Sequence, residues 1–200
     1  PPLGLIREAE ERRAVARAGI ANVYNLDEVD FYYTVSAPLT EQIWGHDSTL
    51  AKVVRVIRET RPKVILTMDP RPSPGNHGNH QFAARLAIEA FAAAADPAAF
   101  PEQIAQEHLR PWRVDRILES GFFGFTTGSD CASHLAGTDP TDVLYGVYAG
   151  APSPRNGGAS WAQVEWDAVR EYATQGWAAF PAVVPPPFVS CDVFGLGGIL

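Results

Sequence analysis

The chain has 200 residues, a net charge of −7, an apolar fraction of 46% and a charged fraction of 20%. That size and balance suit one globular domain with a sizeable core, and the acidic charge argues against a general nucleic-acid binder, which is usually basic. No apolar run approaches the roughly 18 residues that a membrane-spanning helix needs.

Cys131 and Cys191 occur without CxxC or zinc-finger spacing. They read as two buried free thiols, with a disulfide as the alternative in an exported protein. The chain opens on Pro1 rather than Met, which leaves its compartment open, and the sequence gives no oligomeric state.

Ile6–Ala18 has strong helix formers and stops at Gly19. Ala21–Leu26 reads as a short strand, followed by an acidic turn at Asp27, Glu28 and Asp30. Phe31–Gly45 is aromatic and irregular, suited to a lid or a pocket wall. Ser48 is placed to cap a helix carrying Leu50, Val53, Val54 and Ile57, which Pro62 ends. Val64–Met68 then reads as a buried strand, and Phe82, Leu86, Ile88 and Phe91 mark a long helix that stops near Asp96-Pro97. Arg116-Ile117-Leu118 and Asp142–Tyr148 are further strand candidates, and Trp161–Trp177 an amphipathic helix. Residues 1–180 form the expected domain, and 181–200 a Pro/Gly-rich tail. Alternating helix and strand predict an α/β fold, Rossmann-like, with a mostly parallel sheet flanked by helices. Such a sheet ordinarily begins with a strand. This chain begins with a helix, so its first strand is expected upstream of Pro1.

The segment Gly75-Asn76-His77-Gly78-Asn79-His80-Gln81 joins the Val64–Met68 strand to the long helix. Ligands of open α/β sheets bind outside the carboxyl ends of the strands. His77 and His80, three residues apart, can share one face of a helical turn and serve as metal ligand and acid. The competing reading is a polar loop with a capping histidine. Spacing alone leaves both open.

The run Arg61–Pro70, then His77-Gly78-Asn79-His80-Gln81, then Ala93–Pro97, Phe100-Pro101-Glu102 and Pro111-Trp112, resembles the LmbE/PIG-L family of zinc-dependent de-N-acetylases. Upstream, Arg7-Glu8-Ala9-Glu10, Gly19-Ile20 and Leu26-Asp27 are also similar to it. The resemblance covers residues 6–118 well and the carboxyl-terminal third loosely. It implies a small amino-sugar substrate of the N-acetylglucosamine type and a Zn2+ cofactor. By the same resemblance His80 is a zinc ligand, and His77 stabilises the oxyanion and protonates the leaving amine. Arg7 helps to hold the substrate. Asp69 hydrogen-bonds the loop or, equally, forms a turn before Pro70. Asn79 stands where the family usually has Asp.

Acetamide hydrolysis needs a nucleophilic water, a polarised carbonyl and a proton for the departing nitrogen. Zinc lowers the pKa of its bound water towards ~7, and catalytic zinc typically has three protein ligands. The family's other motif, Ala-His-Pro-Asp-Asp-Glu, is absent here, so the remaining ligands are expected upstream of Pro1 and the isolated chain is expected to be inactive. A non-catalytic carbohydrate-binding relative of the same fold is the alternative. Trp44 is the tryptophan expected nearest substrate, whereas His46, His108 and His134 read as surface residues.

Overall fold

A computed structural model describes residues 2–125, 130–135, 144–185 and 190–196. In chain order the elements are α1 (Leu3–Arg17), α2 (Pro38–Trp44), α3 (His46–Thr60), β1 (Val64–Thr67), α4 (Gly78–Ala93), α5 (Pro101–Ala105) and β2 (Arg116–Phe125). They are followed by α6 (Ala132–Leu135), β3 (Leu144–Tyr148), α7 (Trp161–Val169) and β4 (Ser190–Leu196). The fold is α/β. The strands form a sheet in the order β1-β2-β4-β3, and β1 runs parallel to β2 with Val64 opposite Arg116 and Thr67 opposite Glu119.

Several expectations need correction. Ala21–Leu26 is not a strand: it makes no ladder among the described residues, and the Leu26 carbonyl instead accepts from Lys52 Nζ at 2.7 Å. Phe31–Gly45 is irregular only in its first part, because Pro38 at the first helical position starts α2. Ser48 does not cap α3. Gly45 takes that place with φ at 78°, and the Ser48 hydroxyl bonds back to the Trp44 and Gly45 carbonyls. Nor is β1 buried on both faces: Val64 and Leu66 are exposed while Ile65 packs inward against the helical core. Cys131 and Cys191 are buried as expected but are not free. They form a disulfide across a Cα–Cα distance of 5.7 Å, which suits a bridge. The stretch read as a tail contains β4; its residues 186–189 and 197–200, and residues 142–143 of the late strand candidate, lie outside the described residues.

The chain packs as two units, the second centred on Leu26–Gly121 and the first built from Pro1–Asn25 and segments between Phe122 and Val193. In the first, α1 packs on α7. Glu10 of α1 is buried, and its carboxylate accepts from the Thr174 amide at 2.9 Å and hydroxyl at 2.7 Å. The hydroxyl bond, followed by the amide bond, holds Glu10 below the usual carboxylate range.

In the second unit, Leu50, Val54 and Ile57 of α3 meet Phe82, Leu86 and Ala90 of α4, both rows at helical spacing. Ala37 and Val114 complete this core. Arg58, fully buried on α3, reaches across it to the end of α4. Its guanidinium donates to the carbonyls of Ala93, Ala94, Asp96, Ala99 and Phe100 and to Gln103 Oε1, at 2.8–3.3 Å. Gln103 is itself anchored by donating to the Ala51 carbonyl at 2.8 Å. Carbonyls left open at a helix C-terminus carry partial negative charge, so they solvate a buried cation. Burial pushes the Arg58 guanidinium down from its ordinary value, and the Glu102 and Asp96 charges oppose this. Replacing Arg58 by Leu would strand these acceptors inside the protein. The expected loss is about 3 kcal/mol or more in a denaturant titration, with Arg58→Lys in between.

Candidate functional site

The candidate site lies where β1 hands over to α4. Asp69, just past the strand, accepts from the Arg71 amide at 2.8 Å and from the Arg71 side chain, which closes a tight turn. The Arg71 bonds hold Asp69 below the usual carboxylate range, and burial partly offsets them. The Asp69 and Arg71 carbonyls both accept from Asn76 Nδ2, at 2.9 and 2.8 Å. Asp69 is thus both the turn-forming residue and a holder of the loop. Fully buried Gln81 donates to the Asn76 carbonyl at 2.7 Å and to the Val35 carbonyl at 3.1 Å, tying the loop to the segment before α2.

Gly78 opens α4 and packs directly on that segment. Its amide donates to the Thr34 carbonyl at 2.9 Å. A methyl group there would collide with Thr34 Oγ1 and the Ser36 carbonyl, so the approach depends on the missing side chain.

His77 is the N-cap of α4: its Nδ1 accepts from the Asn79 amide at 2.9 Å. The capping reading of the sequence is therefore realised, and it fixes the ring. An Nδ1 that accepts leaves the ring proton on Nε2, which is directed away from the helix end. His80 lies in the first turn, its ring centroid 5.8 Å from that of His77. Neither nitrogen of His80 has a hydrogen-bond partner among the described residues. Desolvation, then the neighbouring His77, pushes its pKa below the ordinary 6.5, with Asp30 opposing. A neutral imidazole with an open nitrogen lone pair is the form that ligates metal.

Asn79 is buried between two elements. Its Oδ1 accepts from Thr40 Oγ1 at 2.7 Å and its Nδ2 donates to Asp30 Oδ1 at 3.4 Å. Phe31 and Tyr33 flank His77, with ring centroids 6.3 and 4.9 Å from it. The structure thus gathers His77, His80, Asn79 and Asp30 beside the aromatic segment, with Asp69 bracing the loop from behind.

Trp44 is placed in packing. Its ring lies 6.1 Å from Phe82 and its indole N–H donates to the Val29 carbonyl at 2.8 Å. Arg7 lies on α1, in the first unit, whereas the histidines belong to the second. His108 is exposed, as expected of a surface residue. His46 is half-buried between Asp47 and Glu89, whose hydrogen bonds raise its pKa, and the His134 side chain is outside the described residues. Sequence reasoning missed Asp30 and Thr40, because only tertiary contact joins them to Asn79. It also missed Glu119 on β2, whose pKa is raised by burial and then by the charge of Asp69. A largely apolar cavity of about 1020 Å³ is lined by Pro70, Arg71, Arg85, Phe91 and Ile117, and neither histidine lines it.

Two outcomes follow. Gly78→Ala should cost about 1–3 kcal/mol of stability, read by thermal or denaturant unfolding, because the added carbon must push the two segments apart. In the metal-free chain, His80 should titrate below 6.5 by NMR. Its depressed value contributes stability that is present above the unfolded pKa and is lost as pH falls through the folded one. An unshifted or raised midpoint would mean that the His80 ring is not held in this environment.

Residues 2–91 match the family model described as PIG-L: GlcNAc-PI de-N-acetylase. The chain is 27% identical over 190 residues to the 1D-myo-inositol 2-acetamido-2-deoxy-alpha-D-glucopyranoside deacetylase 1 of Catenulispora acidiphila, which covers 86% of this chain and 57% of the relative. The corresponding deacetylase of Geodermatophilus obscurus is 45% identical over 108 residues, covering 50% of this chain and 36% of the relative. That of Streptomyces scabiei is 46% identical over 71 residues, covering 36% and 20%. The chain thus spans little more than half the length of the first of these relatives, and less of the other two. The histidine loop lies inside the matched segment, and over that segment the chain is similar to the PIG-L de-N-acetylase family.

Proposed function

We propose that the loop at the head of α4 faces the acetamide of an N-acetylglucosamine-type glycoside or glycolipid, in a de-N-acetylase site of which this chain carries part. The observation that carries the reading is the division of labour between the two imidazoles. His77 is locked by the Asn79 amide with its proton on the far nitrogen, and His80 keeps both nitrogens open.

Hydrolysis joins the water oxygen to the carbonyl carbon and breaks the carbon–nitrogen bond. It releases acetate and an amine that must take up a proton. The Nε2–H of His77 is suited to donate a hydrogen bond to the carbonyl oxygen as charge develops on it; with Nδ1 accepting the ring is neutral, so the proton taken up by the departing nitrogen is the one given up by the attacking water. Asn79 and Asp69 hold this geometry by fixing the helix start and the turn before it. His80 is the residue that would ligate Zn2+. No group of three His, Cys, Asp or Glu converges among the described residues. The donor set they bring together therefore does not by itself fit a catalytic zinc, and the metal reading requires further ligands. Arg7 stays a substrate-holding candidate by resemblance alone, whereas the engaged indole of Trp44 favours packing. The parallel β1–β2 pair, with the histidine loop leaving the end of β1, supports a Rossmann-like, mostly parallel architecture.

The incomplete donor set favours a second reading, a carbohydrate-binding relative without catalysis. One set of measurements separates the two. The chain should bind an N-acetylglucosaminide more tightly than the matching free-amine glucosaminide, and His77→Ala should abolish that preference. Zinc should bind weakly, with binding lost in His80→Ala. Once the remaining metal ligands are supplied, acetate release that disappears in His77→Ala marks the enzyme, and selective binding without release even then marks the binder. A chain showing no acetyl preference, or holding tight stoichiometric zinc that His80→Ala leaves intact, would overturn the assignment of the two histidines.

A further inference from the structure

The segment before α2 presents an aromatic group that neither the core nor the hydrogen-bond network uses. Tyr33 is 55% exposed and its hydroxyl has no partner among the described residues. Its ring stands 4.9 Å from that of His77 at an interplanar angle of 85°, so the two rings make a right-angled corner. The Phe31 ring also lies near His77, 6.3 Å from it between centroids. Tyr32 is more exposed still, at 73%; its ring meets Phe31 and makes no ring contact with His77 among those described.

The backbone carrying Tyr33 is not loose. Gly78 donates to the Thr34 carbonyl, Gln81 donates to the Val35 carbonyl, and the Phe31 amide donates to Asp30 Oδ1. Each bond joins a neighbour of Tyr33 either to the α4 start or to the acid that contacts Asn79. An exposed aromatic face held this firmly beside a hydrogen-bond donor is unusual for a residue whose role is solvation.

We propose that Tyr33 is the sugar platform of the site: it stacks on the apolar face of the pyranose ring and so positions the ring's substituent over His77. Pyranoses present axial C–H groups on one face and hydroxyls around the rim. A tyrosine matches both, with a flat apolar ring and a polar tip. The right angle lets the sugar ring lie along Tyr33 while its acetamide extends towards His77 Nε2. The inference rests on the reading of His77 given above, but concerns a different part of the ligand, the ring rather than the acyl group.

That difference supplies the test. Binding of the N-acetylated and free-amine glucosaminides to the full chain is followed by NMR titration or calorimetry. Tyr33→Leu, which keeps apolar bulk but removes the flat face, should weaken both ligands equally, by about 10-fold. Tyr33→Phe should retain most of the affinity. Tyr32→Leu, one residue away and out of reach of His77, should change neither. A thermal melt of each variant separates lost binding from lost folding. Equal affinity in native and Tyr33→Leu chains overturns the platform, whatever the acetyl preference shows. A loss confined to the acetylated ligand also overturns it, since Tyr33 would then be acting on the acetamide. Loss of the acetyl preference with an intact Tyr33 effect would instead remove the role of His77. If the native chain binds neither sugar, the platform fails while the zinc measurement on His80 still stands.

Discussion

The guanidinium of Arg58 is the interaction on which the second unit depends. It lies within the helical core with no carboxylate among the described residues hydrogen-bonded to it, and its charge is spread over backbone carbonyls at the end of α4 and the turn that follows. A cation placed there does two things. It satisfies the acceptors that every helix leaves open at its carboxyl end, and it ties α3, α4 and the start of α5 into one body. The aromatic–aliphatic packing of Leu50, Val54 and Ile57 against Phe82, Leu86 and Ala90 supplies the nonspecific attraction. Arg58 supplies the register, because its hydrogen bonds form only when α4 stops at one point along α3.

Fixing the end of α4 has a consequence at its beginning. The helix is sixteen residues long, so anchoring one end limits where His77 and His80 can sit. Five further contacts pin the start: the Asn79 amide on His77, Asn79 with Thr40, Gly78 with Thr34, and Gln81 with Asn76 and with Val35. The loop is therefore held by elements on both sides, and the side chains that face away from it are free for a ligand. Rigid support behind an open polar face is how binding sites avoid the entropy cost of ordering themselves when the ligand arrives.

The chemistry at this face is divided by local geometry. His77 and His80 are the same residue type, three apart, yet one ring is committed to a backbone amide and the other is not. Capping sets the tautomer of the first. Desolvation shifts the second towards its neutral form, and the nearby Asp30 charge works in the opposite direction. A donor and an uncommitted imidazole result from identical side chains, because one residue closes a helix and the other rides on its first turn.

Much of this architecture was legible in the sequence. The helical periodicities of α3 and α4, the stop at Gly19, the strand before the loop and the histidine pair all follow from patterns within a few residues of one another, where hydrophobic spacing and turn chemistry act. Motif order along the chain also sufficed to suggest the family. Errors arose where distant residues decide. Ala21–Leu26 has strand composition but finds no ladder, Val64 and Leu66 look buried until the exposed side of the sheet is known, and the two cysteines are sixty residues apart in sequence but bonded in the fold. The role of Arg58, the link from Asp30 through Asn79, and the corner of Tyr33 with His77 left no trace in local pattern. Sequence alone determined which segments coil, extend or turn, and where two imidazoles would fall on a helix start. Tertiary structure alone decided which charge could be buried, which tautomer His77 adopts and which aromatic faces it, since each depends on partners brought near only by packing.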